Sequence, residues 1–249
     1  MYNDLFEIFG ITIHSYGLMI GIGILCAYYL AEYRAKKRHI DSEVLVNLMF
    51  QILIYGFVSA KLLYYLTTID QIIADPSILL DIGNGFVVYG GIIGGIIGGY
   101  LFAKKHQLDF LEYTDLILPS VALAQGFGRI GCFLAGCCYG AETSSPLSVV
   151  FPQGSLAPSG VHLIPTQLYS SAFDFLLCIA LILVAKKVHQ KGYITSFYMI
   201  AYSIGRFLIE FFRSDYRGAI GFLSTSQFIS IFILIVGIIL LLYQRKQTQ

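Results

Sequence analysis

Residues 220–243 read IGFLSTSQFISIFILIVGIILLLY and hold no charged side chain. That run is longer than the roughly 20 apolar residues a helix needs to cross a bilayer's hydrocarbon core. Six further apolar stretches precede it, at Ile13–Tyr33, Val44–Leu66, Gly85–Ala103, Thr114–Cys137, Thr166–Ala185 and Tyr193–Phe212. The rest of the chain shares this character. Of its 249 residues 57% are apolar and 12% charged, and the mean hydropathy is +0.74. Soluble domains carry about a quarter charged residues, so water could not solvate this surface. A soluble enzyme, a nucleic-acid binder and a disordered chain are excluded. The expected fold is an all-α integral membrane protein with seven transmembrane helices, forming a single domain over residues 1–249. Asp4 and Glu7 stand before the first stretch where a signal peptide would carry a basic run, so that stretch is expected to stay as a helix.

Lysine and arginine sort by side. Arg34, Lys36, Lys37 and Arg38 follow the first stretch, Lys104 and Lys105 the third, Lys186, Lys187 and Lys191 the fifth, and Arg245 and Lys246 the seventh. Eleven of 16 basic residues therefore share one side, and the opposite loops hold only Arg213 and Arg217. The positive-inside rule puts the C-terminus in the cytoplasm and the N-terminus outside, which requires an odd number of spans. The outside loops are Thr67–Asn84, Gly140–Pro165 and Ser214–Ala219; the second, with four prolines, is expected to build a small irregular head.

Three basic residues remain within spans: Lys61, Arg129 and Arg206. A cation at membrane depth costs about 2.5–3.5 kcal/mol and usually faces a bundle interior or an aqueous cavity. Lys61 lies late in its span, where it can snorkel toward the outer headgroups. Arg129 is set among Gly126, Gly128 and Gly131, which allow close approach of a backbone or a headgroup. Arg206, Glu210 and Arg213 are spaced by four and three and share a helix face. Two arginines against one glutamate, with Arg129 added, leave net positive charge. Guanidinium forks match phosphate oxygens, so a lipid phosphate is the expected guest. Gly90, Gly91, Gly94, Gly95, Gly98 and Gly99 recur every four residues, a pattern of close helix packing that Gly17 and Gly21 are expected to share. Cys26 and Cys178 read as small buried hydrophobes.

In order along the chain, Ser15-Tyr16-Gly17-Leu18-Met19, Tyr89-Gly90-Gly91, Gly128-Arg129-Ile130-Gly131 with Gly136 and Gly140, Pro165-Thr166-Gln167-Leu168-Tyr169 and Gly205-Arg206 through Glu210 to Arg213 resemble the motifs of the prolipoprotein diacylglyceryl transferases. The resemblance spans nearly the whole chain. It implies an enzyme of the bacterial cytoplasmic (inner) membrane that starts lipoprotein maturation. Such an enzyme moves the diacylglyceryl group of phosphatidylglycerol to the thiol of a prolipoprotein's lipobox cysteine and releases glycerol 1-phosphate. The implied partners are phosphatidylglycerol and the signal peptide that carries the lipobox, with no nucleic acid, cofactor or metal. Arg129, Arg206, Glu210 and Tyr89 are the implied catalytic residues. Tyr16, Arg213, Gly90, Gly91, Gly128, Gly140, Gln167 and Tyr169 are the implied substrate-binding residues.

The chain departs from the family pattern at named positions. Tyr89 replaces the usual His, Cys132 an Asn, Cys137 a Glu, Ile164 a His and Ser170 a Glu, while Gly-Cys-Cys-Tyr-Gly resembles a cysteine-bearing branch of the family. The thiolate is the nucleophile in such chemistry, and a tyrosine with a pKa near 10 is a poor base at neutral pH. His14 and His162 are alternatives for that role. Two other readings stay open: a relative that binds or carries phospholipid without catalysis, and a thiol or redox protein using Cys132, Cys137 and Cys138. The cysteine spacings of five and one are unlike the CxxC pairs of structural zinc sites.

Overall fold

The computed structural model describes residues 4–8, 11–81, 83, 85–215 and 218–247; Asn84 and Arg217, both assigned above to outside loops, lie outside the described residues. A hairpin of β1 (Asp4–Ile8) and β2 (Ile11–His14) leads into α1 (Ser15–Lys37). Then come α2 (Ser42–Thr67), α3 (Ile69–Ala74), a 3₁₀ turn at Pro76–Leu80, α4 (Val88–Lys105) and α5 (Phe110–Ala135). Strands β3 (Val149–Val150) and β4 (His162–Leu163) pair antiparallel before α6 (Thr166–Ala185). After α7 (Tyr193–Glu210) a hairpin of β5 (Ala219–Ile220) and β6 (Leu223–Ser224) precedes α8 (Thr225–Gln247).

Among the described residues α1, α2, α5, α6 and α8 are long and apolar enough to cross a membrane. The protein is thus a helical membrane protein with five such helices. The other two expected spans, α4 and α7, are also helical, at 18 residues each. Six glycines and two lysines dilute the apolarity of α4, and Arg206 and Glu210 with several hydroxyls dilute that of α7. Short antiparallel hairpins qualify the all-α expectation. The last helix starts at Thr225 rather than Ile220 because Gly221, at φ 62°, turns the chain between β5 and β6.

The described residues divide into two compact units, Met1–Ala31 with Thr114–Gln249, and Glu32–Tyr113. In the second unit α4 lies against α2. A Cβ on Gly90 would come within 2.5 Å of the Ser59 carbonyl oxygen and one on Gly98 within 2.8 Å of Tyr55 Cβ, while Gly94 faces Ser59 and Tyr55. Gly91, Gly95 and Gly99 meet neighbours only at 3.5–3.6 Å, so one row of the glycine pairs sets the helix spacing. The Lys61 ammonium reaches the Asp81 carbonyl oxygen at 2.5 Å and lies 5.0–5.2 Å from the ring centres of Tyr64, Tyr65 and Phe86, near enough to ring faces for cation–π attraction.

In the first unit Ala122 of α5, Leu177, Cys178 and Leu181 of α6 and Ile194 of α7 form a buried core. Asp115 of α5 ties α7 to it, accepting from the Gly192 and Thr195 backbone N–H groups at 2.6 and 2.7 Å and from Thr195 Oγ1 at 2.6 Å. The expectation for Gly17 and Gly21 is not met, since a Cβ on either would meet nothing within 4 Å. It is Gly23 that packs closely, on Phe127 and Ala124 of α5. The head between α5 and α6 is less irregular than expected. Besides β3 and β4 it has its own small core of Phe151, Ala157 and Leu163, packed with Phe133 and Tyr139.

Candidate active site

Two glycines and two phenylalanines place the central charges. Phe175 of α6 fits against Gly126 of α5, and Phe173 fits against Gly205 of α7, where any Cβ would collide with the rings. Ser171 Oγ adds a 2.9 Å bond to the Gly126 carbonyl. Asp174, between those two rings in sequence, lines one cleft with Arg129, Ser170, Phe173, Tyr202, Arg206 and Ile209. The residue is 3% exposed, and its carboxyl interacts electrostatically with Arg129 and Arg206. The cleft encloses about 10 Å³, room for about one water.

Arg206 extends the network along α7. Its Nη1 lies 2.9 Å from Glu210 Oε2, and its Nη2 donates to Ser226 Oγ of α8 at 2.9 Å. Glu210 also faces Arg213 Nη1 at 3.6 Å. Arg213 in turn grips Asp215 with two bonds, Nε to Oδ1 at 2.9 Å and Nη2 to Oδ2 at 2.7 Å. Burial draws the Arg213 pKa down, and the Asp215 bond, with Cys138 and Glu210 beside it, more than offsets this and leaves it raised. Three acids that the helix-face spacing did not bring together, Asp174, Glu210 and Asp215, thus stand beside Arg129, Arg206 and Arg213. Asp174 was legible only as one acid inside an apolar stretch, and Asp215 lay across a turn from the helix face that carries Arg213.

The three cysteines converge where α5 ends, Cys132 in its last turn and Cys137 and Cys138 just past it. Gly136 at φ 76° and Cys138 at φ 63° fold the chain back, and Cys137 N–H donates to the Cys132 carbonyl at 3.1 Å. All three Sγ atoms lie within 4.8 Å of one another. Thr166 Oγ1 and Gln167 Nε2 hold the Cys138 and Cys137 carbonyls, each at 2.7 Å. Contacts with the Cys132 and Cys137 thiols, with Arg213 and Arg129 nearby, hold the Cys138 thiol below the usual thiol range.

Of the other residues singled out, Tyr16 lies over Gly131 of α5 and is 40% exposed. Gln167 is buried and spends its amide on the cysteine turn, and Tyr169 is 40% exposed on α6. Gly140 bridges to the Arg213 backbone, with Ile164 and Phe212 against it, whereas nothing lies within 4 Å of a Cβ on Gly128. Tyr89, Gly90 and Gly91 belong to the second unit, at the start of α4. His162 pairs with Ser148 Oγ at 2.8 Å in a separate open groove of the head, and His14 ends β2.

Apolar helices around buried guanidiniums and carboxylates define a multi-pass membrane protein with a charged site within its helices. The chain belongs to the prolipoprotein diacylglyceryl transferase family, whose sequence profile matches residues 3–243. It is 51% identical over 245 residues to the phosphatidylglycerol--prolipoprotein diacylglyceryl transferase of Clostridium tetani (strain Massachusetts / E88), covering 98% of each chain. It is 54% identical over 235 residues to the phosphatidylglycerol--prolipoprotein diacylglyceryl transferase 2 of Clostridium perfringens (strain 13 / Type A), covering 94% of this chain and 92% of that one. A transferase of the same name from Staphylococcus carnosus (strain TM300) is 31% identical over 250 residues, 98% of this chain and 90% of the relative.

Proposed function

We propose that the protein transfers the diacylglyceryl group of phosphatidylglycerol to the lipobox cysteine thiol of a prolipoprotein signal peptide. A thiolate attacks the glyceryl carbon, the C–O bond to phosphate breaks, and glycerol phosphate leaves. The observation that carries this reading is the cleft shared by Arg129, Arg206 and Asp174 in a chain of this family. Arg129 and Arg206 bind the phosphate and stabilise the charge that grows on it as it leaves, a task for preorganised donors away from water. Glu210 orients Arg206, and Arg213 braces Glu210 while Asp215 holds it in place. Room for about one water cannot admit a headgroup, so the cleft walls move apart when lipid enters.

The whole chain acts as one transferase domain of seven spans, α4 and α7 included. Its N-terminus lies outside and its C-terminus in the cytoplasm of a bacterial inner membrane. The eleven basic residues gathered on one side support that orientation. Tyr16, Gly128 and Tyr169 serve the lipid, and Gln167 and Gly140 serve it by fixing the loop that follows α5. The groove lined by Glu142, Thr143, Ser148 and His162 offers the exported peptide a path to that loop.

The test is direct. Detergent-purified protein is incubated with phosphatidylglycerol and a lipobox peptide, and the peptide cysteine is examined by mass spectrometry. Diacylglyceryl on wild-type product, lost with Arg129→Ala and with Glu210→Ala, is expected. Lipid retained through Arg129 with no modified peptide would remove the transferase reading and leave a lipid binder.

A further inference from the structure

The cleft is lined by two guanidiniums, the hydroxyls of Ser170 and Tyr202 and the Asp174 carboxyl beside Arg129 and Arg206; among the described residues no histidine lines it. The transfer nevertheless needs a thiolate. Three protein thiols lie at the end of the same helix that carries Arg129. Cys132 stands three residues on from it, on the same face of α5, and Tyr16 interacts electrostatically with Arg129 and all three cysteines.

We propose that Cys132, Cys137 and Cys138 bind a zinc ion whose open fourth position takes the thiol of the incoming lipobox cysteine. This rests on the transferase reading above. The linear spacing is unlike a zinc ribbon, but geometry decides. A zinc–sulfur bond of about 2.3 Å sets sulfurs about 3.8–4.0 Å apart in tetrahedral or trigonal arrangements. The three Sγ atoms are already within 4.8 Å of one another, and Gly136 and Cys138 turn the chain to bring them there. Bonds from Thr166 and Gln167 fix the carbonyls of that turn. Among the described residues the group has three members, and three protein ligands with one open corner is how catalytic rather than structural zinc is held. Cys132 is buried and Cys137 and Cys138 are half-buried, so the open side can be reached.

Charge also fits. A zinc trithiolate carries one net negative charge, and a fourth thiolate makes it two. Arg129 and Arg213 both act electrostatically on Cys138 and offset that charge. A disulfide would leave one of three thiols over and would need an oxidant. The step through zinc needs none. The peptide thiol binds, gives its proton to water, and attacks the glyceryl carbon as a metal-bound thiolate. The C–S bond forms, the C–O bond breaks, and the electron pair leaves on the phosphate beside Arg129 and Arg206. The neutral thioether product is a poor ligand and departs. Soft thiolates favour zinc among the common divalent ions, and a metal-bound thiol is deprotonated at neutral pH.

The experiment uses the full chain in detergent, loaded with Zn²⁺ or Co²⁺. One ion per chain is expected. The cobalt form should show thiolate-to-metal charge transfer and tetrahedral d–d bands, which shift when a lipobox peptide is added and not when its cysteine is serine. Chelation should slow transfer by about 10²-fold or more, the size of a lost activating group, with recovery on adding Zn²⁺. Cys132→Ser, Cys137→Ser and Cys138→Ser should each lose the ion and the rate, whereas Cys26→Ser and Cys178→Ser keep both. Phosphatidylglycerol retention checks that the variants are folded. Full turnover by ion-free protein, a cobalt spectrum without thiolate bands, or a disulfide among the three cysteines of the active protein would each overturn the proposal. An ion that takes the peptide thiol without any transfer would instead support the site and overturn the transferase reading on which its role rests.

Discussion

Arg206 and Glu210, one helical turn apart on α7, meet at 2.9 Å with the glutamate side chain 1% exposed. Arg213 approaches the same carboxylate oxygen, so one acid holds two guanidiniums. Removing one partner of a buried pair strands the other, at about 3–5 kcal/mol. Glu210→Leu should lower stability by that order, and Arg206→Met combined with it should recover part of the loss. Thermal unfolding of the single and double variants in detergent measures this, and additive losses would show that the two side chains do not depend on each other.

In the proposed function, Asp174 lines the cleft where the phosphate binds. With its carboxylate gone, Arg129 and Arg206 are left for the product. Asp174→Asn should strengthen inhibition by glycerol phosphate about tenfold, equivalent to about 1.4 kcal/mol. The inhibition constant is the readout, and an unchanged value would show that Asp174 does not compete with phosphate.

Gly140 and Gly128 share a signature motif but should fail in different ways. A Cβ on Gly140 would meet Ile164 Cβ and the carbonyl oxygens of Ile164 and Phe212 at 2.7 Å. Backbone cannot move aside cheaply, so Gly140→Ala should destabilise the protein by about 1–3 kcal/mol. Gly128→Ala meets nothing and should leave the melting temperature in place while weakening phosphatidylglycerol retention. A Gly128→Ala protein that binds lipid normally would take that glycine out of the site.

The two glycine rows of α4 allow a test within one helix. Gly90→Ala forces a methyl against the Ser59 carbonyl and Leu63, and a loss of about 1–3 kcal/mol is expected. Gly95→Ala finds its nearest neighbour at 3.5 Å, and should be neutral or gain up to about 1 kcal/mol from helix propensity. Unfolding temperatures of the pair should differ in that order.

Much of this was legible in the sequence. Long apolar runs located the helices, and the spacing of four between Arg206 and Glu210 foretold their contact. Glycine periodicity foretold that α4 packs closely, and the neighbour is α2. What escaped depends on distance along the chain or on single backbone angles. Asp174 is one acid among leucines and phenylalanines, and its role is visible only once Phe173 and Phe175 lie on glycines of two other helices. Asp215 cancels Arg213 across a turn that helix periodicity does not describe. The spacing of the cysteines argued against a metal until Gly136 and Cys138 folded the turn. Likewise Gly17 and Gly21 matched the packing pattern, yet Gly23 is the residue that α5 approaches.

The grip of Asp115 on the first turn of α7 has a consequence for biosynthesis. A helix carrying Arg206 and Glu210 enters lipid reluctantly by itself, since each central charge costs about 2.5–3.5 kcal/mol. Asp115 is made almost eighty residues earlier, on α5, and it binds the Gly192 and Thr195 amides where α7 begins. The chain therefore makes α5 before α7, and Asp115 is available as a berth for the first turn of the helix that brings Arg206 to the cleft.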